Sequence, residues 1–189
     1  MARPRAFDPD TALEDIMNLF WERGYEATSL QDIEAATGLN KQSLYRAFGD
    51  KRAMYLKALD LYEAREVAAG AALLRRAGTA RERLGRLFGH AIAKVTEAGD
   101  RRGCFLCNAG IDQAYGDPAT ATKVGAILGR VQAAIEGALT ADAGYADADA
   151  RRRTALALMT GYFGLRALVK AGMPVAALEE AKDRLLQMI

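Results

Sequence analysis

Several features are scarce in this 189-residue chain, and each scarcity argues against a class of protein. With four prolines, two cysteines and 51% hydrophobic residues, the composition predicts a helical fold without a disulfide framework. The single histidine, His90, cannot by itself assemble a catalytic triad or a zinc site of the usual kind. No apolar run approaches the roughly 18 residues that span a membrane, and residues 1–7 lack the apolar run of a secretion signal. We therefore expect an all-α protein in the cytoplasm, without membrane contact, metal or cofactor.

Charge is distributed unevenly along the chain, although the net charge is only +2. Residues 39–57 contain five basic residues against one acidic residue, whereas residues 8–34 contain eight acidic residues against one basic residue. A basic patch beside an acidic flank predicts an oriented electrostatic footprint, of the kind that suits a nucleic-acid partner.

The stretch of residues 28–57 is predicted to form two short helices, a tight turn between them and a third helix behind. Leu30 and Ile33 have helical spacing in the first of these helices. Thr28 and Gln31 have the spacing of a capping box at its start, and Gly38 fits its end. Two helices joined by a short turn that contains glycine predict a helix-turn-helix unit.

The second short helix has side chains suited to reading DNA. Leu44 and Phe48 can anchor it to a core, while Lys and Arg donate to guanine edges, Gln to adenine and Ser to either. For any one of these polar residues alone, a solvated helix face is the alternative. The candidate DNA contacts are Thr28, Ser29, Asn40, Lys41, Gln42, Ser43, Tyr45, Arg46 and Lys51.

Basic residues also lie on either side of this unit. Asp50 is predicted to cap the next helix, which leaves Lys51 in a first turn where the helix dipole disfavours a cation. A nearby phosphate would remove that penalty, so a phosphate contact is preferred for Lys51 over an idle surface charge. Arg3 and Arg5 precede the first helix and form either a solvated tail or contacts to phosphates or the minor groove.

The residues 27–33 and 38–48 resemble the DNA-binding segment of TetR/AcrR transcriptional regulators, and residues 49–54 resemble the start of that family's long fourth helix. The resemblance is close from residue 7 to about residue 57. It implies an all-α fold of about nine helices. Residues 1–52 would form the helix-turn-helix DNA-binding domain, with helices near 9–23, 29–36 and 40–47. Residues 53–189 would form a domain for effector binding and dimerisation.

A second segment, residues 101–108, carries both cysteines and resembles a run that some family members have where their sixth helix begins. Cys104 and Cys107 are spaced i, i+3, close enough on one helix face for a disulfide in principle. The neighbouring Arg101 and Arg102 can lower a thiol pKa. Three interpretations stay open: small apolar residues in a core, redox or electrophile sensing, and metal binding with only two thiolates per chain.

A long helix is predicted over residues 151–171, with two apolar stripes along it. One stripe is Ala155, Leu158, Tyr162, Leu165 and Val169; the other is Leu156, Met159, Phe163 and Ala167. A helix that is apolar on two sides must bury both of them. In the family the last two long helices pair with those of a second subunit, so the resemblance implies a homodimer through these helices.

These features predict a sequence-specific transcriptional regulator, a repressor released from a palindromic double-stranded DNA operator by an apolar or aromatic small-molecule effector. The candidate pocket residues, each also a candidate for plain core, are Tyr62, Phe88, Phe105, Tyr115, Tyr162 and Phe163. The alternative is a thiol-based redox or electrophile-responsive regulator that uses Cys104 and Cys107. An enzyme is disfavoured, because the sequence has no nucleotide-binding glycine loop, no paired carboxylates in a recognisable frame and no metal cluster.

Overall fold

The computed structural model describes residues 7–189, so Arg3 and Arg5 lie outside the described residues. Within that range all regular secondary structure is helical, and there is no strand. The elements are α1 (Pro9–Arg23), α2 (Leu30–Thr37), α3 (Lys41–Phe48), α4 (Lys51–Tyr62), α5 (Ala68–Arg75), α6 (Ala80–Ala98), α7 (Phe105–Asp112), α8 (Pro118–Leu139), α9 (Ala148–Lys170) and α10 (Val175–Leu186). No helix in residues 7–189 is long and apolar enough to cross a membrane.

Two of these helices form one continuous rod. A π-helical segment, Glu63–Val67, joins α4 directly to α5. Apart from a short 3₁₀ helix at Ala143–Tyr145, residues 7–189 thus contain nine separate α-helical rods, as the family resemblance implied. The family resemblance implied a long fourth helix here, but the sequence gave no signal for the π-helical segment. Wider π turns inside an α-helix are often found at functional sites.

Local caps explain where the N-terminal helices begin. Asp8 accepts from the backbone N–H of Asp10 at the start of α1, and Pro9 occupies a first-turn position where no N–H is missed. Asn40 and Asp50 accept from backbone N–H groups at the starts of α3 and α4, and the cap at Asp50 was predicted. Because cap residues are extended, α2 and α3 begin one residue later than the predicted 29–36 and 40–47.

The predicted capping box of α2 was wrong by one residue. Ser29 is the N-cap, and its hydroxyl and backbone N–H pair reciprocally with Asp32. Thr28 is instead fully buried, and its hydroxyl donates to the carbonyl oxygen of Gly24 at 2.7 Å. The pair Thr28–Gln31 has the same spacing, but the burial of Thr28 in the turn before α2 leaves Ser29 to cap the helix.

The first of two hydrophobic cores lies between α1, α2, α3 and α4 and extends to α7 and the first half of α8. Phe105, at the start of α7, packs edge-on against two rings of α4. Its ring centroid lies 5.5 Å from that of Tyr55 and 5.7 Å from that of Tyr62. A helix from the C-terminal part of the chain therefore completes the core under the helix-turn-helix unit.

The second core lies between α5, α6, α9, α10 and the last turns of α8. The buried stripe of α9 packs here: Ala155, Leu158, Tyr162, Leu165 and Val169. The helix begins at Ala148, three residues before the predicted start at 151, because Asp147 accepts from two backbone N–H groups of the first turn. The other predicted stripe is not fully covered: Leu156 and Ala167 are exposed, while Met159 and Phe163 are half-buried.

Candidate nucleic-acid interface and interior cavity

One face of α3 is anchored in the first core and the opposite face is polar and exposed. Leu44 and Phe48 are buried one helical turn apart, which fixes the orientation of the helix. The exposed face consists of Lys41, Gln42, Tyr45 and Arg46, and Ser43 is half-buried beside it. We call this set of five residues the α3 face. Its side chains are the types that donate to base edges and phosphates.

Three of the predicted DNA contacts have structural roles at helix starts. The side-chain oxygen of Asn40 accepts from the backbone N–H of Ser43 at 2.9 Å, and the Ser29 hydroxyl hydrogen-bonds to Asp32. Both Asn40 and Ser29 are nevertheless exposed. Thr28 differs from them, since its buried side chain cannot reach a partner outside the fold. Of these three predicted contacts, Thr28 alone therefore has no exposed side chain to offer to DNA.

Two cations of this region lie beside aromatic rings. The Lys41 ammonium lies 5.4 Å from the ring centroid of Tyr45, and the Lys51 ammonium lies 4.3 Å from that of Tyr25. No ion pair within residues 7–189 engages Lys41, Arg46 or Lys51. In the acidic flank, by contrast, Asp32 pairs with Arg23 at 2.9 Å and Glu14 pairs with Arg65.

A cavity of about 520 Å³ lies on the other side of α4, where the rod of α4 and α5 passes over α8 and α9. The π-helical segment forms part of its wall through Glu63, Ala64, Glu66 and Val67. A volume of this size suits a small organic ligand. The remaining lining is mostly apolar and includes Leu74, Leu87, Leu106, Val131, Ala134, Tyr162 and Phe163.

Three of the six predicted pocket residues line this cavity, namely Tyr62, Tyr162 and Phe163. The other three do not line it. Phe88 and Phe105 are fully buried in the second and first cores, respectively, and do not reach the cavity. Tyr115 is fully exposed in the turn after α7, where its ring packs against nothing. Aromatic identity alone could not separate core, cavity and surface positions.

A polar cluster at the inner end of the cavity was not predicted. Arg166 of α9 lies there with only 7% of its surface exposed. Its guanidinium donates to the carbonyl oxygen of Gly103 and, at 3.2 Å, to the hydroxyl of Tyr162. Gly103 is in the left-handed region (φ 73°), and a Cβ there would clash with the backbone of Arg166. The segment before α7 can therefore lie directly against α9.

Both cysteines lie beside this cluster. The Tyr62 hydroxyl donates to the sulfur of Cys104 at 3.4 Å, and Cys104 lines the cavity, whereas Cys107 is half-buried in α7. Burial alone would raise the pKa of the Cys104 thiol, but hydrogen bonds from Cys107 and Tyr62 and the charge of Arg166 outweigh it and lower that pKa. The pKa of Cys107 is raised, chiefly because it donates to Cys104. No cluster of three or more metal-binding side chains is found in residues 7–189.

The cavity and the helix-turn-helix unit share a wall. The ring of Tyr62, whose hydroxyl faces Cys104, packs edge-on against Trp21 of α1 at a centroid distance of 5.0 Å. The guanidinium of Arg102 lies 3.9 Å from the Trp21 ring centroid and donates to Asn18 at 2.9 Å. A change at the inner end of the cavity is therefore one side chain away from α1.

Comparison with known proteins agrees with this geometry. Residues 12–58 match the family model described as bacterial regulatory proteins, tetR family. The chain is similar to a cysteine mutant of the TetR family transcriptional regulator CifR, complexed with 26-bp double-strand operator DNA. The two chains are 30% identical, the match covers 98% of each, and the TM-score is 0.88.

Two named relatives have shorter matches. An uncharacterized HTH-type transcriptional regulator of Bacillus subtilis, YezE, is 32% identical over 118 residues, which cover 62% of this chain and 61% of YezE. The transcriptional repressor ComR of Escherichia coli is 48% identical over 60 residues, which cover 32% of this chain and 29% of ComR. The chain thus spans less than two thirds of the length of these curated relatives.

An all-helical fold with an N-terminal helix-turn-helix unit and an exposed polar face on its second helix defines a class, the helix-turn-helix DNA-binding transcriptional regulators. Within that class, this chain belongs to the TetR family of bacterial regulatory proteins.

Proposed function

We propose that this protein is a repressor that binds a palindromic DNA operator as a homodimer and is released by a small molecule bound in the interior cavity. The observation that carries the proposal is the α3 face, whose unpaired cations and donors stand on a helix anchored by buried Leu44 and Phe48. The DNA-bound structure of CifR, similar over nearly the whole chain, supports it.

In this proposal α3 enters the major groove. Lys41 and Arg46 would donate to guanine or phosphate, and Gln42 to adenine. Ser29 and Asn40, exposed at the starts of α2 and α3, would lie close to phosphates together with Lys51 at the start of α4. Because most of these contacts are ionic, operator affinity should fall steeply as the salt concentration rises.

Dimer formation is proposed through the uncovered faces of α9 and α10. Leu156, Leu168 and Met188 are 49%, 38% and 50% exposed, and a shallow groove between the two helices is lined by Gly161, Gly164, Leu165, Leu168, Ala181, Arg184, Leu185 and Met188. A second copy of the chain would cover this apolar surface and place two α3 helices on successive half-sites. Light scattering of the purified protein should give twice the chain mass, and a monomer would contradict this step.

Release by an effector requires that the ligand bind one subunit geometry more tightly than the other. The shared wall supplies a route: a ligand that moves Tyr62 also moves its contact with Trp21 of α1. A shift of α1 would carry the α3 faces of the two subunits away from the half-site spacing.

The experiment that tests this function is selection of bound sequences from random double-stranded DNA at low ionic strength. We expect enrichment of an inverted repeat, and a reporter gene placed behind that repeat should be repressed. A protein that enriches no sequence would contradict the proposal, and a protein that raises reporter expression would contradict the repressor role.

The environment of Cys104 favours a second candidate, a regulator released by peroxides. The Cys104 thiolate would attack one peroxide oxygen, the O–O bond would break, and the leaving oxygen would take up a proton and depart as water or an alcohol. Cys107 sulfur would then displace the hydroxyl of the resulting sulfenic acid, forming a disulfide and releasing water with the thiol proton. The two thiols together lose the two electrons that the peroxide gains.

Single substitutions separate the two candidates. If thiol oxidation releases DNA, both Cys104→Ser and Cys107→Ser should abolish peroxide-induced release, and a dithiol reductant should restore operator binding in the wild-type protein. Peroxide-induced release that is unchanged in both variants would reject the redox mechanism.

A further inference from the structure

Arg166 is a buried cation without a carboxylate partner in the part of the chain that the structure describes. Its guanidinium donates to two neutral acceptors, the Gly103 carbonyl oxygen and the Tyr162 hydroxyl. Buried guanidinium groups are nearly always paired with an anion, because an unpaired charge loses its hydration without compensation. The side chain lines the cavity, so an anion that enters the cavity can reach it.

The carboxylates of the cavity wall are already paired with other cations. Asp60 pairs with Lys123, Glu66 pairs with Lys94, and both oxygens of Glu63 are bound by Arg130. All three therefore have a partner other than Arg166. The inner end of the cavity therefore holds a buried guanidinium that no carboxylate of the wall pairs with, surrounded by apolar and aromatic side chains.

We propose that the cavity binds an amphipathic anion, a molecule with an apolar body and a carboxylate that pairs with Arg166. This inference rests on the proposed function in that it names the chemical class of the effector. The guanidinium offers a planar fork of N–H donors that suits a carboxylate. The apolar walls on α5, α6 and α8, through Leu74, Leu87 and Val131, would hold the body.

The Cys104 thiolate is the rival partner for Arg166, and the two possibilities differ in what they require. Pairing with the thiolate leaves the cavity neutral, so a ligand's charge would bring no gain in affinity. Pairing with a ligand carboxylate makes affinity depend on that charge and leaves Cys104 dispensable. Matched ligands that differ only in charge therefore distinguish the two.

The test is calorimetric titration of the full-length protein, without DNA, with a panel of aryl and alkyl carboxylates and their isosteric primary amides, such as naphthylacetate and naphthylacetamide. We expect the best carboxylates to bind about tenfold or more tightly than their amides, as hydrogen bonds to a charged group imply. Cys104→Ser should keep this preference. If no carboxylate binds better than its amide, or if Cys104→Ser abolishes the preference, the inference is overturned.

Variants at the site sharpen the result. Arg166→Met should remove the preference for carboxylates, Arg166→Lys should keep part of it, and the exposed control Arg153→Met should leave it intact. The ligand comparison on the wild-type protein does not depend on whether Arg166→Met folds. Calorimetry needs no operator, so the two proposals can fail separately. A preference for carboxylates in a protein that binds no DNA would contradict the repressor proposal and leave this inference standing. Operator binding without a preference for carboxylates would contradict only this inference.

Discussion

The α3 face and the interior cavity are assembled in different ways. The α3 face is contained in eight consecutive residues, between a cap at Asn40 and a glycine at Gly49. The cavity is lined by residues from Asp60 to Arg166, which belong to α4, α5, α6, α7, α8, α9 and the π-helical segment. One surface is therefore specified by a local pattern, whereas the other exists only after distant helices pack together.

Both regions carry positive charge, but it is exposed on the α3 face and buried in the cavity. Lys41 and Arg46 on the α3 face are exposed, so their attraction to phosphates is weakened by salt. Arg166 is buried, where salt screens it little and an unpaired charge is costly. The difference indicates that the first region suits a large polyanion and the second a single anionic group.

The largest effects should come from the two cores. Phe105→Ala in the first core and Phe88→Ala in the second should each lower the free energy of unfolding by about 3–5 kcal/mol, because each leaves a cavity in packed surroundings. The matched control Tyr115→Ala, at a fully exposed ring, should change it by less than about 0.5 kcal/mol.

The same variants test whether the two cores unfold in one transition. The rod of α4 and α5 and the long α8 run through both cores, so we expect one transition. Urea unfolding followed by the fluorescence of Trp21, the only tryptophan, reports on the first core, and helical circular dichroism reports on both. Midpoints that diverge in Phe88→Ala would mean that the cores are independent units.

The next largest effect is expected from a substitution on the uncovered face of α9. Leu168→Glu should prevent dimer formation and lower operator affinity by about a hundredfold, since both half-sites must be bound by one particle. Ile111→Glu, at an exposed apolar residue of α7, is the matched control and should leave both properties unchanged. Light scattering and gel-shift titration measure the two effects. If Leu168→Glu still forms a dimer with full operator affinity, the dimer interface does not include this face of α9.

Single substitutions on the α3 face should have a smaller effect on operator affinity, because each removes one contact. Lys41→Ala and Tyr45→Ala should each weaken operator binding by about tenfold, as expected for loss of one phosphate or base contact. Both side chains are exposed, so the melting temperature should hardly change. Lys170→Ala and Tyr115→Ala are controls of the same residue types at other exposed positions. Unchanged operator affinity in both α3 variants would mean that α3 is not the recognition helix.

The smallest effect is expected at the ion pair between Arg52 of α4 and Asp117, which caps α8. Hydrogen bonds from Arg52 and then Thr120 hold the pKa of Asp117 below its ordinary 3.8. A lowered folded-state pKa stabilises the fold above the unfolded pKa and loses that effect as the pH falls below it. Asp117→Asn should therefore slightly lower the melting temperature at pH 7, and the difference should shrink below pH 3.8. A difference that grows in acid would contradict this assignment.

Much of the fold could be predicted because its helix ends carry local signals. Asp8, Asn40, Asp50 and Asp117 each bind backbone N–H groups of their own first turn, and such caps need no tertiary contact. The one misplaced cap shows the limit of this reasoning. Thr28 and Ser29 both have a partner three residues later, and only the burial of Thr28 against Gly24 distinguishes them.

The cavity could be predicted only in part. Tyr62, Tyr162 and Phe163 were identified because aromatic residues are common in pockets, but the same rule also selected Phe88, Phe105 and Tyr115. Nothing in the local sequence distinguishes an aromatic residue of a core from one of a cavity or a surface. That distinction depends on which helix packs opposite, and the π-helical segment in the wall had no sequence signal either.

The sequence by itself determined the helices, most of their caps and the α3 face, because these depend on contacts within a few residues along the chain. Only the tertiary structure decided that Arg166 is buried beside Cys104 and Tyr62. In sequence, that arginine is one of 26 basic residues, and a charged residue is expected at the surface. Its burial follows from the close approach of α9 to Gly103, a contact between segments more than sixty residues apart.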